Sequence, residues 1–131
     1  MEIINVLVAA ATAFVFGALW YGVLSKPWVA ASGVPTDENG RPQNAGNPMP
    51  YIMSFVGLIL VAGMMRHVIS QANIDTVLKG LMTGGGIGLF MISPWIMLNN
   101  GYSTRPFSLT LIDGGYATFG SAIIGVILVL F

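Results

Sequence analysis

Residues 3–25 read IINVLVAAATAFVFGALWYGVLS, 23 residues without a charge. A membrane hydrocarbon core of about 30 Å is crossed by about 20 helical residues at about 1.5 Å each, so this one run is long enough to span. Only Glu2 precedes it, with no Lys or Arg, and Lys26-Pro27-Trp28 follows where a signal peptide would carry a small-x-small cleavage site. A retained membrane helix is expected, not a cleaved leader. Three further charge-free runs follow: Pro42–Met65 (apolar from about Tyr51), Gly80–Thr104 and Gly114–Phe131. Four spans are predicted, at Ile3–Ser25, Tyr51–Ser70, Thr76–Asn99 and Pro106–Phe131. The runs lack the period-2 alternation of a transmembrane barrel. The expected fold is all-α, an integral membrane four-helix bundle forming one domain over residues 1–131.

Composition points the same way. Of 131 residues, 55% are hydrophobic and 8% charged, against about 25% charged in ordinary soluble domains. The mean hydropathy is +0.79. Five basic and five acidic residues cannot furnish a polar shell. A soluble enzyme domain, a basic nucleic-acid binder and a disordered tail are excluded. With no Cys, so are a disulfide scaffold and thiolate-ligated metals. His67 is the single histidine and lacks a carboxylate at helical ligand spacing, so no metal site is expected. Gly84-Gly85-Gly86 lies mid-span with no Lys after it, which is not a phosphate loop. No cofactor is expected, and no set of nucleophile, acid and base stands out. The eight Met read as core filler.

Lys26–Pro50 holds five of the seven prolines, together with Asn39-Gly40, Asp37, Glu38 and Arg41. It reads as a loop outside the membrane, with Trp28–Ser32 as a short turn on its surface. The connections 71–75 and 100–105 are short, and the first predicts an antiparallel hairpin of spans two and three. Arg66 and Lys79 on one side balance Lys26, Arg41 and Arg105 on the other, so the positive-inside rule assigns no orientation.

Helices in lipid associate where small residues let backbones approach. Gly80, Gly84 and Gly88 repeat at four-residue spacing; so do Ala9, Ala13 and Gly17, and Ala117, Ser121 and Gly125. Packing inside the bundle is the preferred reading, with a homodimer seam as the sharper rival. Pro94 predicts a kink in the third span, and the carbonyl freed near Phe90 then requires a partner inside the bundle.

Asp113 is the most expensive residue. It lies about 10 Å into the fourth span, where a bare charge costs a few kcal/mol. It heads the row Ala117, Ser121, Gly125 and is therefore expected to face protein. Counted from the same membrane face, Trp20 and Tyr21 lie at a similar depth, Tyr116 follows at i+3, and Lys26 and Arg105 can snorkel inward from the rim. A polar cluster of Asp113, Tyr21, Trp20, Lys26, Arg105 and Tyr116 is predicted. A clasp between helices is preferred over a proton or solute site.

Two stretches carry a resemblance. Gly17-Ala18-Leu19-Trp20-Tyr21 with Lys26-Pro27-Trp28, and Arg105-Pro106 with Leu111-Ile112-Asp113-Gly114-Gly115-Tyr116, resemble the signatures of a family of small bacterial four-helix membrane proteins known as domain of unknown function 1761. Gly22 and Ser25 depart from it, standing where the family usually has Ser or Pro and Gly. The resemblance spans nearly the whole chain. It implies a multi-pass protein of the bacterial inner membrane and implies no activity. The leading expectation is a non-enzymatic accessory or assembly subunit whose partners are membrane lipids and other membrane subunits, or copies of itself, and no nucleic acid. The alternatives are a small oligomeric transporter or channel using Asp113 and Tyr21, and a membrane enzyme acting on lipid or quinone.

Overall fold

The computed structural model describes residues 2–131, with side chains from residue 3. Its helices are α1 (Glu2–Val23), α2 (Ser25–Ser32), α3 (Met49–Gln71), α4 (Val77–Ile87), α5 (Ser93–Tyr102) and α6 (Phe107–Leu130), with a π turn, Gly88–Ile92, between α4 and α5. Four stretches are long and apolar enough to cross a membrane: Ile3–Val23, Met49–Gln71, Val77–Tyr102 and Phe107–Leu130. Among the described residues there is no strand, only an isolated bridge between Thr36 and Pro42 that closes the long loop.

The ends follow local chemistry. α3 starts at Met49, earlier than the apolar run, because Pro50 suits a first helical turn, where no N–H is needed. The third span runs to Tyr102, beyond the expected Asn99. Asn100 supports the added turn by donating from Nδ2 to Thr110 Oγ1 of α6 at 3.1 Å. The surface turn expected at Trp28–Ser32 is an eight-residue helix that stops at Gly33, whose φ of 70° suits a residue without a Cβ. Thr76 caps α4 by accepting from the Lys79 N–H at 3.2 Å.

α6 is the centre of the bundle. It packs against α1, α2, α3 and the whole third span, whereas among the described residues the backbones of α1 and the third span do not come close to one another. The expected hairpin of spans two and three is not a packed pair: α3 and α4 barely touch despite their short connection. The glycine face of α4 explains this. A Cβ added at Gly80 would stand 2.6 Å from the Gly125 carbonyl oxygen. One at Gly84 would collide with the Ser121 carbonyl, and one at Gly88 with that of Ala117. Backbone meets backbone along the entire seam, so the stripe seats the third span on α6 within one chain.

The apolar core occupies one half of the membrane depth. Ala9, Ala10 and Ala13 of α1 meet Ala62, Met65 and Ile69 of α3 and Ile124 and Leu128 of α6. All of these lie toward the N-terminal end of α1, away from α2. Met65 is the methionine of this core. Met53, Met64, Met82 and Met91 point outward instead, among Leu60, Leu89 and Phe90. Lipid solvates such side chains at no hydrophobic cost, so most methionines here coat the bundle and do not fill it.

Pro94 produces no simple break. The π turn before it absorbs the missing donor: the Ser93 N–H and its Oγ–H both reach the Gly88 carbonyl, the hydroxyl at 2.8 Å. Ser93 Oγ also lies 3.0 Å from the Gly114 carbonyl and 3.3 Å from Thr118 Oγ1. The side-chain donor thus arrives at Gly88, not near Phe90, and ties the π turn to α6.

Candidate functional site

In the membrane half next to α2, the contacts between helices are largely polar and aromatic. α1 brings Trp20 and Tyr21 to its last turn, one residue apart and thus about 100° apart around the helix. They reach two different points on α6. Trp20 donates from Nε1 to the Ile112 carbonyl at 2.9 Å. Tyr21 donates from its hydroxyl to Asp113 Oδ1 at 2.6 Å, at the short end of the O–H···O range. A third bond runs the other way, from the Tyr116 hydroxyl of α6 to the Ala13 carbonyl of α1 at 2.9 Å.

Two glycines make these contacts possible. The Trp20 ring lies on Gly115, where an added Cβ would stand 2.7 Å from Cζ2. The Tyr116 ring lies on Gly17, where a Cβ would stand 2.7 Å from the phenolic oxygen. Each helix offers a bare patch to the other's ring. The aromatic set is continuous: Phe16 stacks on Tyr116 at 6.0 Å between centroids, and Tyr21 meets Tyr116 edge-on at 5.4 Å and Trp28 at 6.2 Å. Such pairs add about 0.5–1.5 kcal/mol each beyond area burial.

The structure therefore brings together Asp113 and Tyr21, with Trp20 bonded to the neighbouring carbonyl. Tyr116 joins the cluster through its ring while its hydroxyl serves α1. The two rim cations lie elsewhere. Lys26 is exposed and forms no ion pair with Asp113. Arg105 donates from Nη1 to the Ser32 carbonyl, tying the end of α2 to the start of α6. A long side chain at the rim is better satisfied by an exposed helix end beside it than by reaching a turn deeper. Ala117, Ser121 and Gly125, the row below Asp113, face the glycine seam.

Two contributors lay outside the sequence reading. Trp28 of α2 was read only as the start of a surface turn, yet its ring meets Tyr21, the donor to Asp113, edge-on at 6.2 Å between centroids. The Ser93–Thr118 pair had a single signal, a hydroxyl beside Pro94. Tyr21, Trp28, Asp113 and Tyr116 are all half-buried. Lys79 pairs with Asp75 at 3.9 Å, far from this cluster, and the donor that Asp113 meets is the neutral hydroxyl of Tyr21.

A family model described as protein of unknown function (DUF1761) matches residues 4–129. No curated protein and no solved structure matches the chain.

Proposed function

The chain belongs to the DUF1761 family, and from that premise we propose that it is a non-enzymatic accessory or assembly subunit of a complex in the bacterial inner membrane. One observation carries this reading. Burial is very uneven among the spans: 44% of the core window of α6 is buried inside the chain, but only 11% of that of the third span and 17% of that of α3. α6 organises the protein, and α3 and the third span turn most of their surface outward. Asp113 gives the transport alternative less support, because its row continues into Ala117, Ser121 and Gly125, which are closed by backbone contact with Gly80, Gly84 and Gly88. A polar path along that row would have to open the seam that holds the third span.

The test uses a photo-reactive amino acid in place of outward-facing residues. Crosslinking in intact membranes from Phe90 or Met91 on the third span, and from Met53 or Leu60 on α3, is expected to give discrete adducts with another membrane protein or a second copy. Glu38 in the loop serves as the control and is expected to give none. Adducts with lipid alone at all four positions would contradict the subunit reading.

A further inference from the structure

The glycine seam covers only the first part of the third span. Gly80, Gly84 and Gly88 meet the backbone of α6 directly. Past the π turn the contact passes to a side chain: the first atoms that a Cβ at Gly114 would meet are Ser93 Oγ and Cβ, at 3.1 and 3.2 Å. A groove of about 520 Å³ runs beside this contact, within the range of about 300–1,000 Å³ that small-molecule sites occupy. α6 lines it with Phe107, Thr110, Gly114 and Thr118, three or four residues apart and so on one face. The third span lines it with Leu89, Ser93 and Met97 at four-residue spacing. Phe107, Leu89 and Met97 are exposed, so the groove opens toward lipid.

Its polar groups are unevenly spent. In the deeper part, the Ser93 hydroxyl is engaged at the Gly88 and Gly114 carbonyls, and Thr118 donates to the Gly114 carbonyl at 2.8 Å. Nearer the α2 side, Thr110 accepts from Asn100 at 3.1 Å. A hydroxyl supplies one proton and a carboxamide two, and this contact uses one of the three whichever way round the amide lies. Thr110 is 7% exposed, and among the described residues Asn100 is the one partner of its hydroxyl. A buried hydroxyl with a proton to give requires an acceptor.

Depth selects the acceptor. α6 has 24 residues, or about 36 Å at about 1.5 Å each, which exceeds a hydrocarbon core of about 30 Å by about 6 Å. Shared between the two ends, the excess puts the core boundary about 3 Å in from Phe107 and Thr110 about 4.5 Å in. Thr118 lies about 12 Å deeper still. The groove thus has a donor at the boundary, spent hydroxyls below it and apolar walls. This pattern matches an amphiphile whose acceptor sits at the boundary and whose chain runs inward. The fatty-acyl ester of a glycerolipid has that form: its carbonyl joins the glycerol to a hydrocarbon chain that fills one leaflet, about 15 Å deep.

We propose that the groove between α5 and α6 holds one acyl chain of a membrane glycerolipid, with the ester carbonyl accepting from Thr110 and Asn100 positioning that hydroxyl. The proposal does not rest on the subunit reading, and either can fail without the other.

The test is native mass spectrometry of the full chain in mild detergent with equal amounts of dipalmitoyl phosphatidylglycerol and its dihexadecyl diether, which has the same headgroup but no ester carbonyl. The diester is expected to be retained about fivefold over the diether, the margin of one hydrogen bond. Thr110→Val should remove that preference and leave the diether as it was. Met97→Trp should fill the groove and lower retention of both lipids several-fold. Thr12→Val is the control, because the Thr12 hydroxyl is spent on the Val8 carbonyl of α1; the preference should persist there. Equal retention of diester and diether by the natural chain, or no retention of either, overturns the site whether or not any variant folds. So does a folded Thr110→Val protein that keeps the preference, or displacement of the diester by an equal concentration of a prenylated benzoquinone, which would give the groove to a different occupant.

Discussion

Gly84→Leu is expected to abolish recovery of folded protein, and Gly84→Ala alone to lower stability measurably. At Gly84 even a Cβ would run into the Ser121 carbonyl and the Ala122 Cα, both backbone atoms in the middle of α6. Backbone cannot rotate aside as a flexible side chain can, so the third span must move off α6. That displacement would open the contacts at Gly80 and Gly88 as well, since the three lie on one stripe. Overpacking of this kind costs about 1–3 kcal/mol for small additions and more for large ones. Gly86 is the internal control. It lies two residues along the same helix, and a Cβ there would meet nothing within 4 Å. Gly86→Ala should be neutral or stabilising by up to about 1 kcal/mol, because glycine inside a helix is itself unfavourable. Thermal melts in mild detergent, with size-exclusion profiles, decide the matter. Equal melting of the two alanine variants would refute the seam.

Asp113→Leu is expected to cost about 1–3 kcal/mol, and Asp113→Asn clearly less. Leucine has nearly the shape of aspartate but accepts no hydrogen bond. It would strand the Tyr21 hydroxyl, and an unsatisfied buried donor costs about 1–3 kcal/mol. Asparagine keeps an oxygen for Tyr21 and removes the charge. Tyr21→Phe supplies the third corner: if the bond accounts for the loss, the double variant Tyr21→Phe with Asp113→Leu should be less destabilised than the sum of the two single changes. Melts of the four proteins give the coupling directly. Additivity within about 0.3 kcal/mol would mean that the 2.6 Å contact contributes nothing to stability.

The spans were legible because charge is absent where lipid must be, and Arg66, Lys79, Lys26 and Arg105 mark the ends. The pairing of Asp113 with Tyr21 was also within reach, since depth along each helix follows from residue count. Neighbour relations were harder. A short connection such as 71–75 fixes where two helices meet but not which faces continue in contact, and the third span follows its glycines onto α6. The rim cations were misplaced for a related reason. Lys26 and Arg105 are long and flexible, so position alone leaves several partners within range, among them the carbonyl end of α2 that Arg105 takes. α2 itself was hidden by Pro27 and by a composition that matches the loop after it. Once α2 is a helix, Trp28 turns from the surface onto the ring of Tyr21.

The central claim is that α6 holds the third span on one flank and α1 on the other within a single chain. The chain has no Cys, so a pair can be introduced cleanly. Ser93→Cys with Thr118→Cys places two sulfurs where hydroxyl oxygens now stand 3.3 Å apart, close enough to form a disulfide of about 2.05 Å with small rotations. Mild oxidation in native membranes, read on a non-reducing gel, should give a fast-migrating monomer with an internal crosslink. A band at twice the mass, or free thiols under conditions that oxidise exposed cysteines, would contradict the account.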